Sequence, residues 1–379
     1  MASIARGWSS LPTDVLVLIL GSLRWSSHPS VALVCRHWRS AASLCPFYPA
    51  WITPLLLNTA EVGTANIRYY SPYYDKNFEV DDTLKVPGAK ICCSTGRHLK
   101  MCADKALVYD IDLVTGALVE VLPQEPYMLF NFVVSDRDDE RLFGVKATIT
   151  IKVASSIRHT SDEWEGWKST ENHLYCPRLR ASPVTNPVLH NGLLYLLAQD
   201  GKLVVYNPCR PDEGFEILNK PNGFGFKCED SYLVESNKGE LMVVLIGRRG
   251  KVVHVVKLND QTMEWEEVES LQGQTIFTGS LTTMMKRSKF KWMQNMIFLP
   301  RFYKWPETVH VDLVARDGQL AFVPKLPFCA DTYLETCGSN IWSYELAYGA
   351  ATKEYWGTER ADYSTWVDFG NLFYVLPLN

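Results

Sequence analysis

Asn191-Gly192-Leu193-Leu194-Tyr195-Leu196-Leu197-Ala198-Gln199-Asp200-Gly201-Lys202-Leu203-Val204-Val205-Tyr206 is the stretch that decides the fold. Its two short apolar runs are each preceded by a dipeptide that turns a β-hairpin, Asn191-Gly192 and Asp200-Gly201. The same grammar extends outward from about Pro54 to the C-terminus. Ala106-Leu107-Val108-Tyr109 and Val252-Val253-His254-Val255-Val256 are further runs bounded by Gly, Pro, Asn or Asp. No long helical pattern interrupts them, which disfavours a parallel βαβ architecture.

The runs recur at a fixed spacing. A Gly-x-Leu step occurs at Gly116, Gly201, Gly239, Gly279 and Gly318, the last four separated by 38, 40 and 39 residues. A Thr followed three positions later by an apolar or aromatic residue recurs as Thr115/Leu118, Thr262/Trp265 and Thr352/Tyr355. A period near 40 made of short strands fits the four-stranded blade of a β-propeller. Dividing the remaining chain by that period predicts a mainly β fold of six to eight blades, with seven favoured. A large β-sandwich is the runner-up. The run Leu372-Phe373-Tyr374-Val375-Leu376 is expected to pair with a blade near the start of the chain and so remove a free edge. Tyr69, Tyr70, Tyr73, Tyr74 and Phe78 are expected to pack the first blade.

The first segment is different. Leu16, Ile19, Leu20 and Leu23 recur at helical spacing after Leu11-Pro12-Thr13-Asp14, where Thr13 or Asp14 can cap a helix. Pro29 reads as lying near a second helix start, and Val31, Val34, Cys35 and Trp38 form a second apolar stripe. Some 40 residues are too few to bury a core of their own. The stripes either dock on the strand-rich body as a cap or meet another protein, and composition alone leaves those readings about even.

Leu11-Pro12-Thr13-Asp14-Val15-Leu16, Ile19-Leu20, Leu23 and Val34-Cys35-Arg36-His37-Trp38-Arg39 closely resemble an F-box. That motif is a compact set of helices that docks on the Skp adaptor of a cullin–RING ubiquitin ligase. The resemblance implies that Leu11, Pro12, Leu16, Ile19, Leu20, Val34, Cys35 and Trp38 engage a Skp-family adaptor or form its supporting core. Further along, Lys257-Leu258-Asn259-Asp260-Gln261-Thr262-Met263-Glu264-Trp265 looks like the edge of a kelch-type blade. With Val268 to Gly273, Ile276 to Gly279 and Asn295 to Phe298 it resembles a plant F-box group with a kelch-like C-terminal domain of unknown function. The expected organisation is a small all-α F-box helical head over 1–50 and a kelch-like β-propeller over 51–379.

Composition bounds the function. The chain has 379 residues, 47% hydrophobic and 21% charged, which excludes a largely disordered chain. A formal net charge of -4 argues against a nucleic-acid-binding surface over the whole chain. Val15 to Leu20 is far short of a membrane span, and no secretory signal is read at the N-terminus. Ten scattered cysteines without a Cys-x-x-Cys pair, and the lack of any Asn-x-Ser/Thr sequon, fit an intracellular chain with reduced thiols, cytoplasmic and/or nuclear. A disulfide-stapled secreted chain is the alternative.

Chemical motifs return mostly to structural readings, and no catalytic residue, metal site or cofactor is expected. The eight histidines lack zinc-ligand spacing, and His254 sits among strand valines. Asn222 to Lys227 lacks the P-loop pattern. Asp136, Asp138, Asp139 and Glu140 lack the Gly and distal Glu of a calcium loop and read as a solvated hairpin tip. Asp162, Glu163 and Glu165 around Trp164 and Trp167 are not placed on one substrate by their spacing.

One basic cluster stands out, Lys286-Arg287-Ser288-Lys289-Phe290-Lys291-Trp292. It reads as a solvated loop, a localisation signal or a grip on an acidic partner. Met284 to Pro306 is the expected loop, with Met296 to Leu299 in a strand. Lys286, Arg287, Lys289, Lys291, Trp292 and Trp305 are the candidate target-binding residues.

Taken together, these readings predict a non-catalytic substrate receptor. The head would recruit the adaptor, and through it cullin and RING subunits, while the body holds an unknown target protein with no membrane involved. Two alternatives stay open: a propeller enzyme or sugar-binding protein with the head as a cap, and an F-box protein that binds the adaptor without promoting ubiquitination.

Overall fold

The computed structural model describes residues 8–21, 34–44, 53–57, 66–73, 75–81, 90–102, 108–113, 117–121, 130–136, 140–147, 150–160, 163–169, 174–175, 186–198, 200–225, 227–247, 252–303, 308–316, 319–324, 338–345 and 365–369. Two short helices, α1 (Thr13–Gly21) and α2 (Arg36–Ser43), precede strands that form six sheets, the blades of a six-bladed β-propeller.

Blade 4 shows the plan most simply. Val188–His190, Leu193–Leu197, Leu203–Tyr206 and Phe215–Ile217 form an antiparallel meander from the inside outward. Asn191 and Gly192 take φ of 49° and 76°, the left-handed pair that a two-residue hairpin turn needs. Blade 2 repeats the plan with Lys90–Thr95, His98–Cys102, Val108–Asp112 and Leu118–Val121. Blade 5 repeats it with Asp230–Glu235, Leu241–Ile246, Val253–Asn259 and Glu264–Glu267. In blade 3, Phe132–Ser135, Arg141–Ala147 and the long Thr150–Thr160 are joined by three short strands, all pairing with the last.

Blade 6 departs from the meander. Its innermost strand is Met284–Arg287, next to Gln274–Phe277, which runs parallel to Met296–Tyr303. Blade 1 is assembled from both ends of the chain. Thr365–Val367 pairs antiparallel with Leu55–Leu57, in one sheet with Asn66–Ser71, Lys76–Asp81, Thr308–Arg316 and Gln319–Pro324. The expected closing strand Leu372 to Leu376 lies outside the described residues; among the described ones, Thr365–Val367 joins the end of the body to its start.

The apolar core is a set of layers between blades. Blades 3 and 4 meet through Phe143, Val145 and Val153 against Leu194, Leu196 and Val204. In blade 5, Leu241, Val243 and Leu245 face blade 4, while Met242, Val244 and Ile246 face blade 6. A strand buried on both faces needs a continuous apolar run, which is why Leu-Met-Val-Val-Leu-Ile lacks alternation.

The count of six corrects the expected seven, and the reason is spacing. The inner strands of blades 2 to 6 begin at Lys90, Phe132, Val188, Asp230 and Met284, so steps near 42 residues alternate with longer ones. The Gly-x-Leu step is no blade repeat, since Leu203 opens a third strand and Leu241 a second. The Thr-based unit does mark a shared place: Leu118 is the first and Trp265 the second residue of the outermost strand of their blades, and they pair with the third strand at Ile111 and Leu258, while Thr352/Tyr355 lies outside the described residues. Tyr69, Tyr70 and Tyr73 are buried and Phe78 is half-buried, as expected for the first blade, while Tyr74 lies outside the described residues.

Ring closure centres on Trp366. Its side chain is fully buried, its ring meets Phe277 edge-on at 5.0 Å between centroids, and its Nε1 donates to the Thr278 carbonyl at 2.7 Å. Beside it, Thr365 Oγ1 bonds Thr282 Oγ1 at 3.0 Å and Ser94 Oγ at 3.2 Å, which ties blades 6, 1 and 2 together at their inner strands. Removing a fully buried Trp side chain costs about 3–5 kcal/mol. Trp366→Ala is therefore expected to lower unfolding stability by that amount in urea titration. A loss below about 1 kcal/mol would mean that the ring is closed elsewhere.

Candidate functional site

The head is built around Leu16, Leu20 and Ala41, all fully buried, with Leu11, Val17 and Trp38 packed against them. Helix α1 starts because Pro12 cannot continue a preceding helix and its carbonyl accepts from Leu16 N at 3.1 Å. Asp14 lies in the first turn, where a negative charge suits the helix dipole. Pro12, rather than Thr13 or Asp14, therefore holds the position before the helix. Helix α2 starts after Cys35, whose carbonyl accepts from Arg39 N at 3.0 Å. Val34 thus precedes the helix and is not part of a helical stripe.

Two bonds brace the segments. His37 Nε2 donates to the Leu11 carbonyl at 2.8 Å, and Trp38 Nε1 donates to the Trp8 carbonyl at 3.1 Å. The eight candidate adaptor residues consequently divide. Leu16 and Leu20 are core. Leu11, Ile19, Cys35 and Trp38 are half-buried, and Pro12 and Val34 are exposed.

Of the apolar side chains that the head leaves in water, sequence reading named Val34 and missed Trp8, Leu18 and Leu44. Trp8, Leu18, Val34 and Leu44 are 73%, 71%, 60% and 62% exposed. The other exposed large apolar side chains among the described residues, Leu118 and Val252, are less so, at 44% and 46%. The signal was present in Val15-Leu16-Val17-Leu18-Ile19-Leu20: a helix apolar all round must be covered on more than one side, and the head's own core covers one.

The basic cluster is not a long loop. Met284–Arg287 is the innermost strand of blade 6, and Met296–Tyr303 is a full strand. Only the bend between them, 288–295, crosses the face of the blade, with one turn of 3-10 helix at Lys291–Met293. Lys286 reaches Asp368 Oδ2 at 2.5 Å and so spans blades 6 and 1. Trp292 packs beside Tyr73 and Phe290 in the layer between those blades. Arg287, Lys289 and Lys291 are exposed. Trp305 lies outside the described residues.

The acidic candidates resolve into local contacts. Asp136 Oδ1 accepts from Glu140 N at 2.8 Å within a hairpin tip; Asp138 and Asp139 lie outside the described residues. Glu165 pairs with Lys168 at 2.9 Å and His159 at 3.1 Å, and Trp164 and Trp167 are buried. Asp162 lies outside the described residues. His254 pairs with Glu267 at 2.7 Å. No disulfide joins the six described cysteines, Cys35, Cys92, Cys93, Cys102, Cys209 and Cys228. No group of three or more His, Cys, Asp or Glu among the described residues is placed to hold a metal ion. No helix among them is long and apolar enough to cross a membrane.

One buried charge cluster was not foreseen. Lys100, fully buried, meets Asp110 Oδ2 at 2.6 Å, and His98 Nδ1 lies 3.3 Å from Asp110 Oδ1. The pairing follows from register, with Lys100 opposite Asp110, and register is invisible until the strands are aligned. Trp164 of blade 3 covers the ammonium, its ring centre 5.7 Å away. Burial alone would raise the Asp110 pKa. The His98 hydrogen bond and the Lys100 charge outweigh it and hold the carboxyl below its ordinary range.

Residues 69–345 match the family model described as KIB1-4 beta-propeller, most of the chain. The chain belongs to that family. Residues 8–46 match the F-box-like model, so the family's propeller here follows an F-box-like segment. Relatives from Arabidopsis thaliana include one named as an F-box protein, 23% identical over 324 residues, covering 75% of this chain and 81% of its own. Another, named as an F-box/kelch-repeat protein, is 23% identical over 310 residues, covering 76% and 78%. Among solved structures, BamB from Moraxella catarrhalis aligns with a TM-score of 0.28 at 12% identity, covering 59% of this chain. YCF48 bound to D1 peptide aligns with a TM-score of 0.34 at 12% identity, covering 53%. The chain spans 63% and 60% of those two structures' lengths.

The buried pair has a pH consequence. With a folded pKa below the unfolded one, Asp110 contributes stability that is fully present above the ordinary aspartate pKa and lost as pH falls through the folded value. Asp110→Asn leaves Lys100 buried without its charge partner and is expected to cost about 3–5 kcal/mol at pH 7. Urea unfolding of wild type and variant should show that gap narrowing as pH drops from about 5 towards 2. A gap independent of pH would mean that the pair makes no net contribution.

Proposed function

We propose that this chain is the substrate-recognition subunit of a Skp–cullin–F-box ubiquitin ligase. The head, residues 1–50, docks on a Skp-family adaptor and through it on cullin and RING subunits. The propeller, residues 51–379, holds a target protein. The chain itself is non-catalytic: holding the target beside a ubiquitin-charged enzyme makes transfer effectively intramolecular, and proximity supplies the rate. It works in the cytoplasm and/or nucleus.

The observation that carries this reading is the exposed apolar surface of the head, on a segment that matches the F-box-like model. Trp8, Leu18, Val34 and Leu44 standing in water are costly unless a partner covers them. Pro12 and Ile19 belong to the docking surface at its edge, with Leu11, Cys35 and Trp38 beneath. Leu16 and Leu20 support it from the core.

The division of roles sets the test. Leu18→Asp and Val34→Asp change exposed residues and should leave the fold intact. Each apolar contact is worth up to about 1.5–3 kcal/mol, so losing one should weaken capture by a Skp-type adaptor roughly tenfold to a hundredfold. Leu20→Asp places a carboxylate in the head's core and should remove both the head's fold and capture. Unchanged capture by a folded Leu18→Asp/Val34→Asp double variant would sink the adaptor assignment.

A further inference from the structure

We propose that the receptor takes an acidic segment of its target on the bend 288–295 of blade 6, through Arg287, Lys289 and Lys291. This rests on the receptor reading above and assigns it a site and a partner chemistry.

The first argument is charge bookkeeping. Several exposed or half-exposed cations elsewhere on the body sit beside carboxylates. Lys202 pairs with Asp200 at 3.3 Å, Lys220 with Glu264 at 3.1 Å, Lys257 with Glu240 at 3.0 Å and Arg210 with Glu213 at 3.2 Å. Arg287, Lys289 and Lys291 are exposed, and among the described residues no carboxylate pairs with any of them. Three uncompensated cations within five residues, in a chain of net charge -4, form a local positive field that the chain does not cancel itself. Lys286 is different: its ammonium is committed to Asp368 across the ring closure.

The second argument is rigidity. The apolar residues interleaved with the lysines point into the body. Phe290 and Met293 are buried in the layer between blades 6 and 1, and Trp292 packs with them. Ser288 Oγ accepts from Phe290 N at 3.1 Å and donates to the Phe290 carbonyl at 3.0 Å. Met293 N and Gln294 N close short turns onto Phe290 and Lys291 at 3.1 Å, and Asn295 N bonds the Gln274 carbonyl at 2.8 Å. Burial of Phe290 and Met293 and the packing of Trp292 anchor the bend while Lys289 and Lys291 stay exposed on it, which reduces the ordering cost of binding.

The third argument is place. The bend leaves the end of the innermost strand of blade 6. The hairpin tips at Gly96-Arg97, Asn191-Gly192 and Ser236 to Gly239 leave the inner strands of blades 2, 4 and 5 in the same way. Arg287 therefore stands beside the propeller axis, on the face where these tips gather.

The test uses the full chain and a fluorescein-labelled oligoglutamate peptide, with oligoglutamine and a single-stranded oligodeoxynucleotide of equal length beside it. Oligoglutamate should bind, and added salt should weaken it. Arg287→Glu/Lys289→Glu/Lys291→Glu should weaken it by about tenfold or more. Lys202→Glu/Lys220→Glu, which reverses exposed but paired cations, should leave it unchanged. Equal loss in both variants would reduce the effect to net charge and overturn the site. Binding unaffected by the triple reversal would overturn it as well, and tighter binding of the oligonucleotide would overturn the partner class. Adaptor capture, measured on the same proteins, should be unchanged in both variants. Its failure in the wild type would overturn the receptor reading while leaving the peptide result standing.

Discussion

The fold depends on one pairing between the two ends of the body: Thr365–Val367 laid against Leu55–Leu57, with Trp366 sealed under Phe277 and bonded to the Thr278 carbonyl. A propeller has no single core. Each blade buries its faces only against its neighbours, so an open ring leaves two sheet faces in water. Closing the ring covers both at once, and the Thr365–Thr282–Ser94 hydroxyl contacts and the Lys286–Asp368 ion pair gather at that seam. Polar ties thus gather where the apolar layers meet their last neighbour.

How far this was legible depended on the length scale of each signal. Local turns were plain, because Asn191-Gly192 needs a left-handed backbone whatever surrounds it. The mainly β class and the propeller followed from such turns. Blade number did not, because it was reached by division and blades 3 and 6 are not of average length. Gly-x-Leu gave a period through residues that fall on different strands. The run expected to close the ring, Leu372 to Leu376, lies outside the described residues, and the pairing of Thr365–Val367 with Leu55–Leu57 was not foreseen. Burial was misjudged for Trp292, since an aromatic beside lysines looks like a contact residue until its neighbours Tyr73 and Phe290 are known.

In the head the same limit appears as a question of which side a residue faces. The pattern of Leu16 and Leu20 was read correctly as a helical stripe, but a stripe does not say whether it meets its own domain or another. Here it meets Ala41 and Trp38, and the opposite side, carrying Leu18, is left bare. The buried Lys100–Asp110 pair was hidden for a related reason: two charges on neighbouring strands become partners only through cross-strand register.

Because blade 1 takes strands from residues near 56 and near 366, the order of synthesis differs from the order of assembly. The head leaves the ribosome first and its small core is local in sequence. Blades 2 to 5 are each contiguous in sequence and can form in turn as they emerge. The edge of blade 1 must wait for nearly the whole chain, and until then its strand backbone is unpaired and its aromatic face uncovered. Such a chain carries its longest-range contact as its last one, so a truncated or stalled product keeps an open sheet edge of the kind that aggregates and that chaperones hold.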